Sequence, residues 1–262
     1  MRANISRLMM SVLLSVILSQ NTLFSQVVVS LDNWFNNEMN AETKRSYHYT
    51  WSDTAFSGYS QWGNIFRNRG AVLATMSKPA TTALWKTDIY IIVDPDSTSE
   101  SPYPNYISTG DISSIRTWVR QGGVLAVLAN DGPNCEFTNL NRLMSEFGMT
   151  FNHVSLHTVD GQNWEKGASV NLPDHPLFKG VSRIYMTEIS DINISGTAKP
   201  VLTENGRVLI AENKFGRGYV IAVGDPWIYN EYIDHALLPE SFQNRKAAEN
   251  LTDLLISYVR KK

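Results

Sequence analysis

The sequence predicts an α/β domain built on a mostly parallel central sheet, and three observations carry the prediction. Apolar runs of strand length, such as IYIIV and VLAVLA, alternate with helical patterns through the first half of the chain, the signature of βα units. These runs are apolar at every position rather than at alternate ones, so helices should cover both faces of their sheet. Each run also ends in a short polar cluster, as strands do where they leave a sheet at its ligand-binding rim.

In chain order, VVVSLD is the first strand, closed by Asp32-Asn33-Trp34. A long irregular segment follows, and at Ser60 it turns into an amphipathic helix reaching Arg69. AVLATMS and DIYIIVDPD are strands with the helix ISSIRTWVRQGG after them, then come the strand VLAVLAND and the helix FTNLNRLMSEFG. The second half is richer in strands: AKPVLTE, RVLIAENKFG and RGYVIAVGD are joined at Asn205-Gly206 and at Gly216-Arg217-Gly218, where glycine permits tight turns. The helix FQNRKAAENLTDLLISYVRKK closes the domain.

Residues 1–25 have the form of a secretory signal, with Arg2 and Arg7 ahead of the apolar run LMMSVLLSVIL and a small residue, Ser25, at the cleavage position. A mature domain of residues 26–262 is thus expected in the periplasm, with secretion as the alternative. No cysteine near Ser25 offers a lipid anchor, and Cys135 is the only cysteine in the chain, so no intramolecular disulfide can form. The charge balance, 23 Lys+Arg against 25 Asp+Glu, provides no basic stripe for nucleic acid. Beyond the signal, no apolar run is long enough for membrane insertion.

The segment from Asp32 to Trp62 threads Trp34, Trp51, Trp62, Tyr47, Tyr49, Tyr59 and His48 through Asn, Asp and Ser. Flat aromatic faces that stack on pyranose rings, beside short polar groups that bond hydroxyls, suit sugar binding; the competing reading is that the aromatics fill a core. His48, between two tyrosines, is the best catalytic candidate among the five histidines. None has the spacing of a zinc site, and the carboxylates of DPDSTSES lack the spacing of a calcium loop, so no metal or cofactor is expected. His153 and His157, four residues apart, are expected on one face of a regular element. Asn130, Asp131 and Asn134 form a polar elbow after a strand, either binding hydroxyls or capping the next helix. Cys135 has no visible histidine partner and is read as structural. Asp225, Trp227, Tyr229 and Glu231 follow the last strand, mirroring DNWFNNE, and with it could sandwich a sugar.

The motifs DNWFNNE, YHYTWSDTAFSGYSQWG, DIYIIVDPD, GGVLAVLANDGPNCEFTNLNRL and GRGYVIAVGDPWIYNEY together resemble the glutamine-amidotransferase-like domain found beside, or fused to, unsaturated glucuronyl and rhamnogalacturonyl hydrolases of families 88 and 105. The resemblance implies a flavodoxin-like, three-layer sandwich of the class I amidotransferase type. Amidotransferase chemistry itself is not implied, since no Cys-His-Glu set is present. Some stand-alone relatives look like oligosaccharide dehydratases, so the resemblance implies a hydro-lyase that removes water from a terminal uronate of ulvan- or pectin-type oligosaccharides, with a family 88 or 105 hydrolase as partner. Such chemistry needs a base for H5 and an acid for the departing hydroxyl. His48 or Tyr49 is the candidate base and Tyr229 or Asp131 the acid. Asn33, Asn130 and Asn134 are candidate donors to the substrate carboxylate, Trp34, Trp51 and Trp227 candidate stacking surfaces, and Asp32 and Asp225 further binding groups. A noncatalytic sugar-binding or assembly module, and a hydrolase pairing Asp131 with Asp225, are the alternatives.

Overall fold

The computed structural model describes residues 26–40, 42, 44 and 46–259; the expected signal segment, residues 1–25, lies outside them. The first half contains β1 (Val28–Asp32), α1 (Ser60–Asn68), β2 (Val72–Met76), α2 (Thr81–Leu84), β3 (Ile89–Val93), α3 (Thr109–Arg120), β4 (Val124–Leu128) and α4 (Phe137–Ser145). All but the one-turn α2 follow the apolar pattern of the sequence. The second half adds β5 (Met149–Phe151), β6 (Ala168–Ser169), β7 (Ile184–Tyr185), β8 (Ile192–Ile194), β9 (Lys199–Glu204), β10 (Arg207–Phe215), β11 (Gly218–Val223), α5 (Asn230–Ile233) and α6 (Asn244–Val259).

Among the described residues, nine strands form one sheet in the order β2-β1-β3-β4-β11-β10-β8-β5, with β9 on β10. From β2 through β11 every pairing is parallel. Beyond β11 the pairings are antiparallel, so the parallel sheet carries an antiparallel extension. The β9–β10 hairpin closes through Asn205 and Gly206 at φ +49° and +77°, the left-handed pair that a two-residue turn matched to strand twist requires. The separate pair β6–β7 comes from segments too short to carry a period.

The central strands β3, β4 and β11 are buried at every position. Side chains of alternating direction supply two cores. Ile89, Ile91, Ala126 and Ile221 pack with Trp62 and Phe66 of α1 and Leu251 and Leu255 of α6. Tyr90, Ile92, Leu125 and Val127 pack on the other face with Ile115 and Trp118 of α3 and Leu140 and Leu143 of α4. Burying each such side chain is worth about 1.5–3 kcal/mol, which in a chain with a single free cysteine is the main source of stability. α3 starts at a capping box: Ser108 Oγ accepts from the Asp111 backbone N–H, and the Ser108 N–H donates to Asp111. No helix among the described residues is long and apolar enough to cross a membrane.

Candidate functional site

Because β1, β3, β4 and β11 run parallel, Asp32, Asp94, Asn130 and Asp225 all leave the sheet on one rim. Asp32 is consumed in building that rim. Its Oδ2 accepts the backbone N–H groups of Trp34, Phe35 and Asn36, and its Oδ1 accepts the Tyr90 hydroxyl at 2.5 Å. Burial pushes its carboxyl up to about 6 against those bonds. Asp32 therefore shapes the loop after β1, and Asn33 is pinned beside it by its N–H to the Met76 carbonyl. A cavity of about 200 Å³ lies here, lined by Asp32, Asn33, Ser46 and Trp51 among others.

The hub of the rim is Asp94, directly after β3. It is buried and holds a left-handed backbone at φ +40°, a conformation a non-glycine residue keeps only when its surroundings enforce it. Asn36 Nδ2 donates to its carbonyl at 3.0 Å. Its Oδ2 accepts both the Tyr49 hydroxyl and Asn130 Nδ2 at 2.9 Å, while its Oδ1 has no partner. Burial and then the charge of Glu100 push the Asp94 carboxyl well above the carboxylate range, outweighing the Asn130 and Tyr49 bonds. The Tyr49 hydroxyl also meets that of Tyr229 at 3.0 Å. Burial foremost raises both phenols well above 10. One continuous hydrogen-bonded chain thus joins Asn130, Asp94, Tyr49 and Tyr229.

His48 precedes Tyr49, and the two residues bend through φ +60° and +48°. His48 Nδ1 meets Glu38 at 2.5 Å, and the ring packs on Tyr47 and edge-on to Tyr49. Glu100 and Glu231 also feel the histidine electrostatically, and burial pushes each up to about 7. Asp96, held by the Asn37 N–H, is likewise raised to about 7 by burial, with Glu38 and Glu100 adding to it. Carboxyl groups that hold protons near neutrality around a histidine are an arrangement for proton transfer.

Asn230 fastens this assembly. It is buried, its Nδ2 lies 3.0–3.1 Å from Asp53 O, Ala55 O and Ser60 Oγ, and its Oδ1 accepts the Gln61 N–H at 2.9 Å. The loop after β1 is thereby stapled to the loop after β11, which brings Tyr49 to Tyr229.

The remaining candidates lie beside the hub rather than in its chain of side-chain bonds: the Asp131 N–H donates to Asn130 Oδ1 at 2.8 Å, and the charge of Asp225 bears on Tyr229. Asp131 is buried and accepts Asn134 Nδ2 at 2.7 Å, so this pair stabilises its own turn. Asp225 is buried and accepts the Thr187 N–H at 2.8 Å. Trp227 is fully buried, Trp51 is nearly so with Nε1 donating to Ala74 O, and Trp34 lies half-buried under Lys78. The Trp227 indole consequently faces the core and offers no stacking wall, while Trp51, its N–H already spent, shows only a small part of its ring at the cavity beside Asp32. Cys135 is buried, and burial pushes its thiol well above the usual range, so it is not a thiolate nucleophile. The stretch carrying His153 and His157 is irregular rather than strand or helix, and His157 pairs with Glu204 at 3.1 Å. Among the described residues no three His, Cys, Asp or Glu side chains are placed to hold a metal ion. Glu38 and Glu100 are the hub residues that the sequence did not single out; Asp94-Pro95-Asp96 was visible as the polar cluster that closes a fully apolar strand, on the rim expected to hold Asp32, Asn130 and Asp225.

Sheet order and rim define an α/β domain of one large sheet, with a proton-holding polar cluster at the carboxyl ends of its parallel strands. The chain belongs to the family described as Domain of unknown function (DUF4350), whose profile matches residues 52–252. No curated protein sequence matches it. Among solved structures, the mmIFT52 N-terminal domain is similar with a TM-score of 0.65 at 12% identity, over 90% of this chain and 98% of that one. Cytoplasmic Protein STM1381 from Salmonella typhimurium LT2 follows at TM-score 0.58 and 13% identity, over 88% of this chain and 99% of that one. A β-galactosidase from Rahnella sp. R3 gives TM-score 0.52 at 14% identity, over 88% of this chain but only 31% of the galactosidase. At such identities the likeness concerns the fold alone.

Proposed function

We propose that this domain is a flavodoxin-like, carbohydrate-active hydro-lyase that removes water from the saturated uronate end of an oligosaccharide, leaving a 4,5-unsaturated ring. The observation that carries the reading is the adjacency of His48 and Tyr49. Glu38 engages Nδ1 of His48, which orients the ring and assigns Nε2 to the proton being moved. The next residue, Tyr49, begins the hydrogen-bonded path to Asp94 and Tyr229. A base and a proton donor on neighbouring residues match the two demands of the reaction: H5 is taken by His48, and the departing 4-hydroxyl is protonated through Tyr49 or Tyr229. The two phenol hydroxyls, bonded to each other and through Tyr49 to Asp94, form the path along which that proton is supplied. Protonated Asp94 and its neighbours would meet the substrate carboxylate as donors rather than repel it. The flavodoxin-like assignment is supported by the parallel order β2-β1-β3-β4-β11, the doubly wound order with its ligand site beyond the strand ends. Export to the periplasm, and work beside a family 88 or 105 hydrolase that consumes the unsaturated product, belong to the same proposal.

A second reading, a noncatalytic sugar-binding or assembly module, is favoured by the burial of Asp94 and Tyr49, whose bonds to one another serve to hold the loops of the rim together. Incubation with saturated uronate-terminated oligosaccharides, followed by ultraviolet absorbance of the conjugated product and by mass, separates the two. Loss of one water with rising absorbance is the expected result. Binding without either change supports the module instead, and full dehydration by His48→Ala would remove His48 as the base.

A further inference from the structure

Beside the hub, on the same rim, is a cavity of about 380 Å³ that the proton-transfer chemistry does not use. Its walls come from the loops after β3 and β4 and from the segment after β5: Ser97 to Ser99, Tyr106, Gly132, Thr138 and His153 among others. Thr98, Tyr106, Thr138 and His153 are all exposed to solvent. Among the described residues their hydroxyls and ring nitrogens make no hydrogen bond, and His153 meets only the edge of Phe137 through its ring. A concave site that combines an aromatic face with several uncommitted donors and acceptors is the design that recognises a polyhydroxylated ring. The histidine is built in: a Cβ on Gly132 would lie 2.7 Å from His153 Nδ1, so the ring rests on a bare backbone.

The cavity is coupled to the hub through short links. Asp96 bridges to Cys135, the Glu136 N–H donates to the Pro95 carbonyl at 2.8 Å, and Glu100 accepts both the N–H and the hydroxyl of Ser97. Glu100 thus has Ser97 of the cavity on one side and the field of His48 on the other. A sugar chain crossing Glu100 would lay adjacent rings at the two places.

We propose that this cavity is a second sugar subsite that takes a neutral pyranoside ring, next along the chain from the ring on which His48 acts. It rests on the hydro-lyase reading only for the order of the rings. Tyr106 provides the stacking face, and Thr98, Thr138 and His153 bond the hydroxyls.

The test is amide NMR of the 15N-labelled protein titrated with methyl pyranosides of glucose, galactose, xylose and rhamnose, then with a methyl uronide and a uronate-terminated disaccharide. Shifts centred on Ser97–Ser99, Thr138 and His153 are expected. The disaccharide should bind about tenfold tighter than the methyl uronide, an increment that one stacked ring supplies. Tyr106→Ala, a change at an exposed side chain, should abolish that increment, and His48→Ala should leave it intact. The subsite is overturned if none of these sugars shifts the cavity residues, or if Tyr106→Ala keeps the full increment. Shifts without dehydration would retain the subsite and sink the hydro-lyase reading, whereas dehydration of the disaccharide with no shift in the cavity would do the reverse.

Discussion

Replacing Asn230 tests whether the site depends on one staple between the first and last loops. The side chain is 3% exposed and contacts Asp53 O, Ala55 O, Ser60 Oγ and the Gln61 N–H. A buried intramolecular hydrogen bond contributes about 1 kcal/mol net, and a buried group stripped of its partner costs about 1–3 kcal/mol. Asn230→Ala leaves two carbonyls and the Gln61 N–H wanting, so about 3 kcal/mol should be lost, a large share of the 5–15 kcal/mol typical of a domain. Urea denaturation should register it as a lower midpoint. Hydrogen exchange should register it as faster amides from Tyr49 to Gln61, with the interior of β3 and β4 still protected above the new global limit. Asn230→Asp keeps the acceptor for Gln61 but turns a carboxylate towards the carbonyls of Asp53 and Ala55. It should be at least as damaging near neutrality and recover in acid. If Asn230→Ala stays within about 0.5 kcal/mol of the parent and its loop amides exchange unchanged, the stapling argument is wrong.

Further outcomes follow from the buried acids and close approaches. Asp96, Glu100 and Glu231 are raised to about 7 and Asp32 to about 6, so the folded state holds these protons more tightly than the unfolded chain. Their contribution is complete below the ordinary carboxylate range near 4 and is lost as pH rises towards 7; urea midpoints across that window should fall, and Glu100→Gln should flatten the decline. Asp94→Asn reproduces the protonated carboxyl and tolerates the left-handed backbone, so its stability should lie within about 1 kcal/mol of the parent, whereas Asp94→Ala should lose about 2–3 kcal/mol. Thermal unfolding of the pair decides it, with equal losses counting against Asp94 as a protonated hub. Gly224→Ala would set a Cβ 1.8 Å from the Ser190 carbonyl; a loss of about 1–3 kcal/mol is expected from the forced shift, and an unchanged denaturation midpoint would contradict the packing seen there.

The parallel half of the sheet was legible because β3, β4 and β11 are apolar throughout, β1 is so but for Ser30 and the closing Asp32, and all are bounded by Asp, Asn or Gly; the helices were legible because their apolar faces recur at helical spacing. The elements β5, β6, β7 and β8 and the single-turn helices α2 and α5 were not, since two to four residues carry no period. The aromatic loop was located but only half understood. Composition cannot distinguish an indole that waits for a sugar from one whose N–H is already spent. Trp51 donates to Ala74 O, and Trp62 donates to Thr252 Oγ1, which is far along the chain. The meeting of Tyr49 with Tyr229 agrees with the expectation that the first and last loops share a rim. The acids around His48 were invisible as a group because Glu38 and Glu100 arrive from two separate loops and Glu231 from α5, and they converge only in the folded molecule.

The position of β11 governs when such a molecule can be finished. It is the last strand in sequence, yet it lies in the middle of the sheet between β4 and β10. A nascent chain that has not yet delivered Gly218 presents the edge of β4, buried at every position in the finished domain, as an open and adhesive template. Asn230, Tyr229 and α6 emerge later still, so the loop bearing His48 and Tyr49 has nothing to fasten to while it is being made. Synthesis therefore completes the polar cluster of the rim last. Fragments ending before Gly218 should aggregate rather than persist as partly folded domains.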